Sequence, residues 1–135
     1  MHDTMMETAL IWAKRSTCSR LSVGAVLAGY NDHRVIGTGY NGAPRGIPHC
    51  SHNPTLDEPC QVSKHAEENA VANAAYLGVS TRGAWLYCTH APCYRCAGLL
   101  INAGINTVYY AQDYRSFDGL MLLKDAGVVT RLWPL

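Results

Sequence analysis

The 135-residue sequence predicts an α/β fold, a sheet carrying helices on both faces. Two observations predict it. One helical stretch and two strand-like apolar runs open the chain, and helices and strands alternate after them to the C-terminus. Met6, Ala9, Leu10 and Ala13 recur at helical spacing, so residues 3–14 should form an amphipathic helix with Asp3 as its N-cap. Residues 23–28 (VGAVLA) read as a buried strand, residues 29–32 as a turn, and residues 34–39 as the hairpin partner. A long loop rich in Gly, Pro, Asn and His spans residues 40–63; such a length marks either a functional loop or a misassigned element, and because it runs directly into His65 it is read as functional. Ala66, Ala70, Ala74 and Leu77 make an apolar stripe on a helix that starts near His65 and stops at Gly78. Residues 84–89 are the third strand, Pro92 suits the first turn of the next helix, and that helix runs to Gly104. Residues 107–111 form the fourth strand, Ser116 caps a last helix over 117–126, and residues 128–133 close the chain as a short strand.

The bulk numbers narrow the class. A chain of this length makes one domain, 1–135, with a core of its own. No run of about 18 apolar residues suggests a membrane span. Met1-His2-Asp3-Thr4 lacks the basic-then-apolar layout of a signal peptide, so a soluble, cytoplasmic protein is expected. Net charge is +1 with no Lys/Arg block, which disfavours a macromolecular nucleic acid as partner and suits a small nucleotide. Six cysteines without a secretion signal point to metal or redox chemistry more than to disulfides. Cys88, inside an apolar run, reads as a small buried hydrophobe.

The chemistry concentrates in His65-Ala66-Glu67 and Pro92-Cys93-Tyr94-Arg95-Cys96. One imidazole and two thiols leave a fourth position open on a zinc ion, the arrangement of a catalytic site, whereas a structural zinc closes all four. Cys93 and Cys96 are three apart, so at a helix start both sulfurs project to one side, and the helix N-terminus favours thiolate. Glu67, close to the ion but not a ligand, suits a proton carrier for a zinc-activated water. A redox pair would need no His-x-Glu upstream, and half of a zinc ribbon would need a second C-x-x-C, which the chain lacks. The H-x-E…P-C-x-x-C pattern is the signature of zinc nucleobase deaminases.

With these residues the sequence resembles the zinc-dependent cytidine deaminase superfamily, and within it the deoxycytidylate deaminases. The resemblance extends to Cys18-Ser19-Arg20, Val23-Gly24-Ala25, His49-Cys50, Asn69-Ala70 and Cys96-Ala97. Gly39-Tyr40-Asn41-Gly42-Ala43-Pro44 is the segment that selects the nucleotide branch over free-nucleoside deaminases. The resemblance implies a three-layer α/β/α sandwich with a five-stranded mixed sheet, a homo-oligomer, often a hexamer, and conversion of dCMP to dUMP for thymidylate synthesis. It implies Zn²⁺ on His65, Cys93 and Cys96 with Glu67 catalytic. Asn41 is expected at the sugar and phosphate end, Arg20 near the phosphate, and Ala66 and the Ala91 carbonyl against the substrate. Asn offers donor and acceptor together, and Arg a planar fork for phosphate. Their alternatives are a turn-forming Asn and a surface ion-pair Arg. Tyr114 is placed to stack or to contact phosphate. Arg115, with Arg45 and Lys64, adds positive potential or stays a solvated charge. His90 is a pocket wall or a structural histidine, and Asn69 orients the pocket through its amide.

The remaining thiols suggest a second, structural zinc on Cys18, Cys50 and Cys60, with His49 or His52 as fourth ligand. Ser63 departs from this pattern, standing where some relatives have a ligand. Some relatives respond to dCTP and dTTP as effectors, whose contacts are placed no more closely than the Gly39–Pro44 neighbourhood. Rival readings keep the zinc and change the substrate to dCTP, a 5-substituted dCMP or another cytosine compound. A different class altogether, a non-catalytic zinc-binding module, has no use for Glu67.

Overall fold

The computed structural model describes residues 1–17, 21–49, 61–114 and 116–134. In chain order the elements are α1 (His2–Ala13), β1 (Gly24–Ala28), β2 (Val35–Tyr40), α2 (Ala66–Tyr76), β3 (Trp85–His90), α3 (Tyr94–Asn102), β4 (Thr107–Gln112), α4 (Asp118–Asp125) and β5 (Val129–Leu132). The strands form one mixed sheet in the order β2-β1-β3-β4-β5. β1 is antiparallel to both neighbours, and β3, β4 and β5 run parallel, joined by α3 and α4 as crossovers. This is the α/β fold with a five-stranded mixed sheet that the sequence leads one to expect.

Strand alternation sends successive side chains to opposite faces. On one face Val26, Ala28, Tyr87 and Tyr109 pack against Met6 and Ala9 of α1. On the other, Ala25, Leu27, Leu86, Cys88 and Val108 meet Ala66, Ala70 and Ala74 of α2, Ala97 and Leu100 of α3, and Leu120 and Leu123 of α4. β1 lies between both layers, so all five of its residues are buried.

Two glycines set how closely the helices approach. A Cβ on Gly24 would lie 2.6 Å from the backbone nitrogen of Ala13 in α1. A Cβ on Gly39 would lie 2.5 Å from the backbone nitrogen of Ala70 in α2. Glycine at these positions lets helix backbone rest on sheet backbone. β2 is an edge strand whose outer polar groups need partners. Asn73 Oδ1 accepts from Thr38 N at 3.2 Å, and Asn69 Nδ2 donates to Tyr40 O at 2.8 Å, so α2 covers that edge. Gly42 and Lys64 exchange backbone hydrogen bonds of 3.1 and 2.8 Å, which closes the base of the intervening loop and sets His65 beside the end of β2.

Several boundaries differ from expectation for physical reasons. Met1, not Asp3, is the N-cap of α1, and Asp3 in its first turn accepts from Trp133 Nε1 at 2.7 Å, tying the two ends of the chain together. α2 ends at Tyr76, with Gly78 beyond it at φ 73°, so Leu77 falls off the apolar stripe and is 61% exposed. The last helix starts at Asp118, whose amide donates to Ser116 Oγ at 3.3 Å. No helix among the described residues is long and apolar enough to cross a membrane.

Candidate metal centre

Two helix N-termini meet at the carboxyl end of β3. His65 is the N-cap residue of α2 and Cys93 that of α3, both in extended backbone conformation. Cys93 Sγ accepts from the amide of Cys96 at 3.5 Å, so the C-x-x-C spacing is that of an N-cap and the third helical residue. Pro92 therefore precedes the cap instead of occupying the first turn. The His65 end is closed in return by Glu68 Oε1, which accepts from His65 N at 3.2 Å. Asn69 Nδ2 holds the same turn to Tyr40 O, so its amide orients the helix start against β2.

His65 Nδ1 lies 3.5 Å from Cys93 Sγ and 3.3 Å from Cys96 Sγ, and the three ligand atoms are all within 4.8 Å of one another. Zinc bonds of about 2.3 Å to sulfur and about 2.0 Å to nitrogen at tetrahedral angles put S and N about 3.6 Å apart. The triangle therefore fits one zinc ion with little movement. Without the ion the thiols share a proton unequally. The hydrogen bond from Cys96, then that from His65, pushes Cys93 down to about 4, while Cys96 is raised by donating to Cys93 and by burial. The hydrogen bond to Cys93 raises His65.

Glu67 is the second residue of α2 and 4% exposed. Burial pushes its carboxyl up to about 7, against the opposing effects of its backbone hydrogen bond and of His65. Cys88 lies under it on β3, fully buried, and burial, the Glu67 charge and a hydrogen bond to Glu67 hold the thiol protonated. The apolar run around Cys88 conceals this contact in the sequence, because only strand alternation and the placing of α2 bring the two groups together. Gly119 of α4 is a second such residue. A Cβ there would lie 2.8 Å from the carbonyl carbon of Cys93, so α4 supports the metal loop from behind.

The other expected residues are placed as follows. Asn41 is 7% exposed; its Oδ1 accepts from Val23 N at 2.8 Å and its Nδ2 donates to Leu21 O, bracing the segment after residues 18–20. Ala66 and Ala91 are buried beside the ligands, with Ala91 N donating to Gln112 O at 2.8 Å. Tyr114 packs on the core cluster that contains Ala66 and Ala91. Arg45 lies over the ring of Tyr76 at 4.0 Å, and Lys64 Nζ donates to Gln61 O at 3.1 Å. Tyr40, Pro44, Arg45 and Asn73 line a cavity of about 220 Å³ beside β2. His49 is exposed. Cys18, Arg20, Cys50, His52, Cys60 and Arg115 lie outside the described residues, and the structural zinc with them. Among the described residues, His65, Cys93 and Cys96 are the group that can hold a metal ion.

Comparison with known proteins agrees with this geometry. ComE operon protein 2 of Bacillus subtilis (strain 168) is 44% identical over 126 residues, which cover 91% of this chain and 66% of that protein. Deoxycytidylate deaminase of Saccharomyces cerevisiae is 36% identical over 135 residues, covering 93% of this chain and 42% of the relative. The chain thus spans less than two thirds of the length of either protein. A crystal structure of dCMP deaminase from the cyanophage S-TIM5 in complex with dCMP and dUMP superimposes with a TM-score of 0.87 at 32% identity, covering 96% of this chain and 95% of that one. The family described as the cytidine and deoxycytidylate deaminase zinc-binding region matches residues 1–112, and the chain belongs to that zinc-binding deaminase family.

Proposed function

We propose that the chain is a zinc-dependent deoxycytidylate deaminase that converts dCMP and water to dUMP and ammonia. The observation that carries this reading is a buried carboxyl, Glu67, two residues from one corner of a His/Cys/Cys triangle of zinc dimensions. Its support includes the likeness to a deaminase solved with dCMP and dUMP. When bound, zinc supplies Lewis-acid activation of the attacking water.

The chain's own residues do the rest. Glu67 takes one proton from the water and delivers it to the ring nitrogen of cytosine as the C–O bond forms; it then takes the second proton from the resulting hydroxyl and gives it to the departing amine as the C–N bond breaks. Its carboxyl is buried two residues from His65, which keeps it beside the metal position without making it a ligand. Ala66 and the Ala91 carbonyl border the reacting base, with the carbonyl accepting from the amino group. Asn41 and Arg20 serve the sugar and phosphate end, Asn41 also by bracing residues 21–23, which follow Arg20. Tyr114 and Arg115 complete the phosphate side.

The proposal extends to a hexameric, cytoplasmic enzyme that feeds thymidylate synthesis and responds to dCTP and dTTP through the Gly39–Pro44 neighbourhood. It includes a structural zinc on Cys18, Cys50, Cys60 and His49. The test is ammonia release from dCMP, CMP, deoxycytidine, dCTP and 5-methyl-dCMP, with and without the two effectors. Fast turnover of dCMP with little of deoxycytidine is expected. Turnover of deoxycytidine alone would overturn the roles of Arg20 and Asn41, and no turnover with zinc bound would overturn the reading.

A further inference from the structure

The end of β3 carries a hydrogen-bond chain that the mechanism above does not use. Gly24 N donates to Thr89 Oγ1 at 3.2 Å, and Thr89 Oγ1 lies 2.9 Å from His90 Nδ1. The amide can only donate, so the hydroxyl oxygen accepts there and must place its own proton elsewhere. Thr89 is 1% exposed, and among the described residues His90 Nδ1 is the acceptor its hydroxyl reaches. If Nδ1 carried a proton instead, the hydroxyl proton would be buried without a partner among the described residues, which is unfavourable. Satisfying every group therefore leaves Nδ1 bare and puts the imidazole proton on Nε2. Burial lowers the pKa of His90 and so favours this neutral form.

His90 is the last residue of β3, half-buried, three positions before Cys93. β3 and β4 are parallel, and ligands of such sheets bind in the crevice outside the carboxyl ends of the strands. We propose that His90 is a substrate-binding residue whose Nε2–H, held in that tautomer by Thr89, donates to an oxygen acceptor of the nucleotide. This rests on the nucleotide-deaminase reading. The acceptor is a base carbonyl or a phosphate oxygen, and a comparison of dCMP with deoxycytidine separates the two. A fixed donor discriminates better than a free one because its orientation is set before the substrate arrives.

The tautomer is read directly by nitrogen-15 NMR of the zinc-loaded protein, with the His90 signals assigned by their loss in His90→Gln. Protonated Nε2 and bare Nδ1 are expected. Thr89→Val should mix the tautomers and raise KM, and Thr89→Ser should restore both. His90→Leu should raise KM for dCMP about tenfold or more, the effect of one desolvated hydrogen bond, with zinc content and kcat little changed. His90→Gln, which keeps an amide donor near the Nε2 position, should fall between. An effect on deoxycytidine as well as dCMP assigns the base carbonyl, and an effect on dCMP alone assigns the phosphate. A proton on Nδ1, or an unchanged KM in His90→Leu, would overturn the proposal. Failure of the wild type to turn over dCMP would sink the deaminase reading instead, and the NMR result would stand apart from it.

Discussion

The two faces of the sheet are packed in opposite ways. Against α1 the contacts are aromatic: Tyr87 and Tyr109 stack with centroids 4.7 Å apart and planes 7° from parallel, and His2 lies 4.7 Å from Tyr109. His2 Nδ1 also meets the Tyr87 hydroxyl at 2.7 Å. Against α2 the contacts are small, with Ala66, Ala70 and Ala74 buried opposite Gly37 and Gly39 of β2, while Leu100, Leu120 and Leu123 pack α3 and α4 on the same face. Over β3 and β4 the rings stabilise the α1 layer through area and stacking, the latter about 0.5–1.5 kcal/mol per pair, while over β1 Gly24 lets α1 sit close to the sheet. Over β2 small residues on both sides let α2 sit close, which sets its N-terminus beside that of α3 at the end of β3. Stability and chemistry thus sit on different faces: the rings hold the sheet to α1, and the close seat of α2 on β2 puts His65 and Glu67 beside Cys93.

That contrast can be broken by paired substitutions. Cys96→Ser should lose the zinc and bring turnover below detection, while the fold persists by circular dichroism. Tyr87→Ala, on the opposite face, should cost about 3–5 kcal/mol in denaturant unfolding, the range for truncating a large buried aromatic, yet keep zinc stoichiometry and kcat. If Tyr87→Ala also released the zinc, the two faces would not be separable.

A smaller effect sharpens the same comparison in the zinc-free protein. Burial holds the Glu67 carboxyl at about 7, above its value in the unfolded chain, so the folded state binds the extra proton. The resulting stability is fully present below the unfolded carboxylate pKa and is lost as pH rises through about 7. Cys93, held at about 4 in the folded zinc-free protein, gives an opposite slope over the same window, so the Glu67 share is read as a difference. The unfolding midpoint of zinc-free wild type minus that of Glu67→Gln should fall as pH rises through about 7. The same difference measured in a Tyr87→Phe background should be unchanged.

How much of this was legible in the sequence follows from distance along the chain. His65-x-Glu67 and Pro92-Cys93-x-x-Cys96 are legible because the spacing of N-cap and third helical residue is local. The strands are legible because apolar runs and turn residues are local too. Asp3 as N-cap fails because its carboxylate is taken by Trp133, 130 residues away. Leu77 fails because α2 ends one residue before it. Cys88 under Glu67, Gly119 behind Cys93 and the Gly24 amide on Thr89 carry no sequence signal, since each contact exists only after the layers have packed. Asn41 is intermediate: the motif that contains it is legible, and its hold on Leu21 and Val23 is not.

The central claim is that Glu67 moves protons at a zinc it does not bind. The most direct measurement is Glu67→Gln in zinc-loaded protein, with metal content and single-turnover deamination of dCMP read on the same sample. The account predicts zinc content at the wild-type level and a rate lower by on the order of 10²–10⁴-fold, the usual share of general acid–base catalysis. A variant that keeps its zinc and deaminates at the wild-type rate would contradict it.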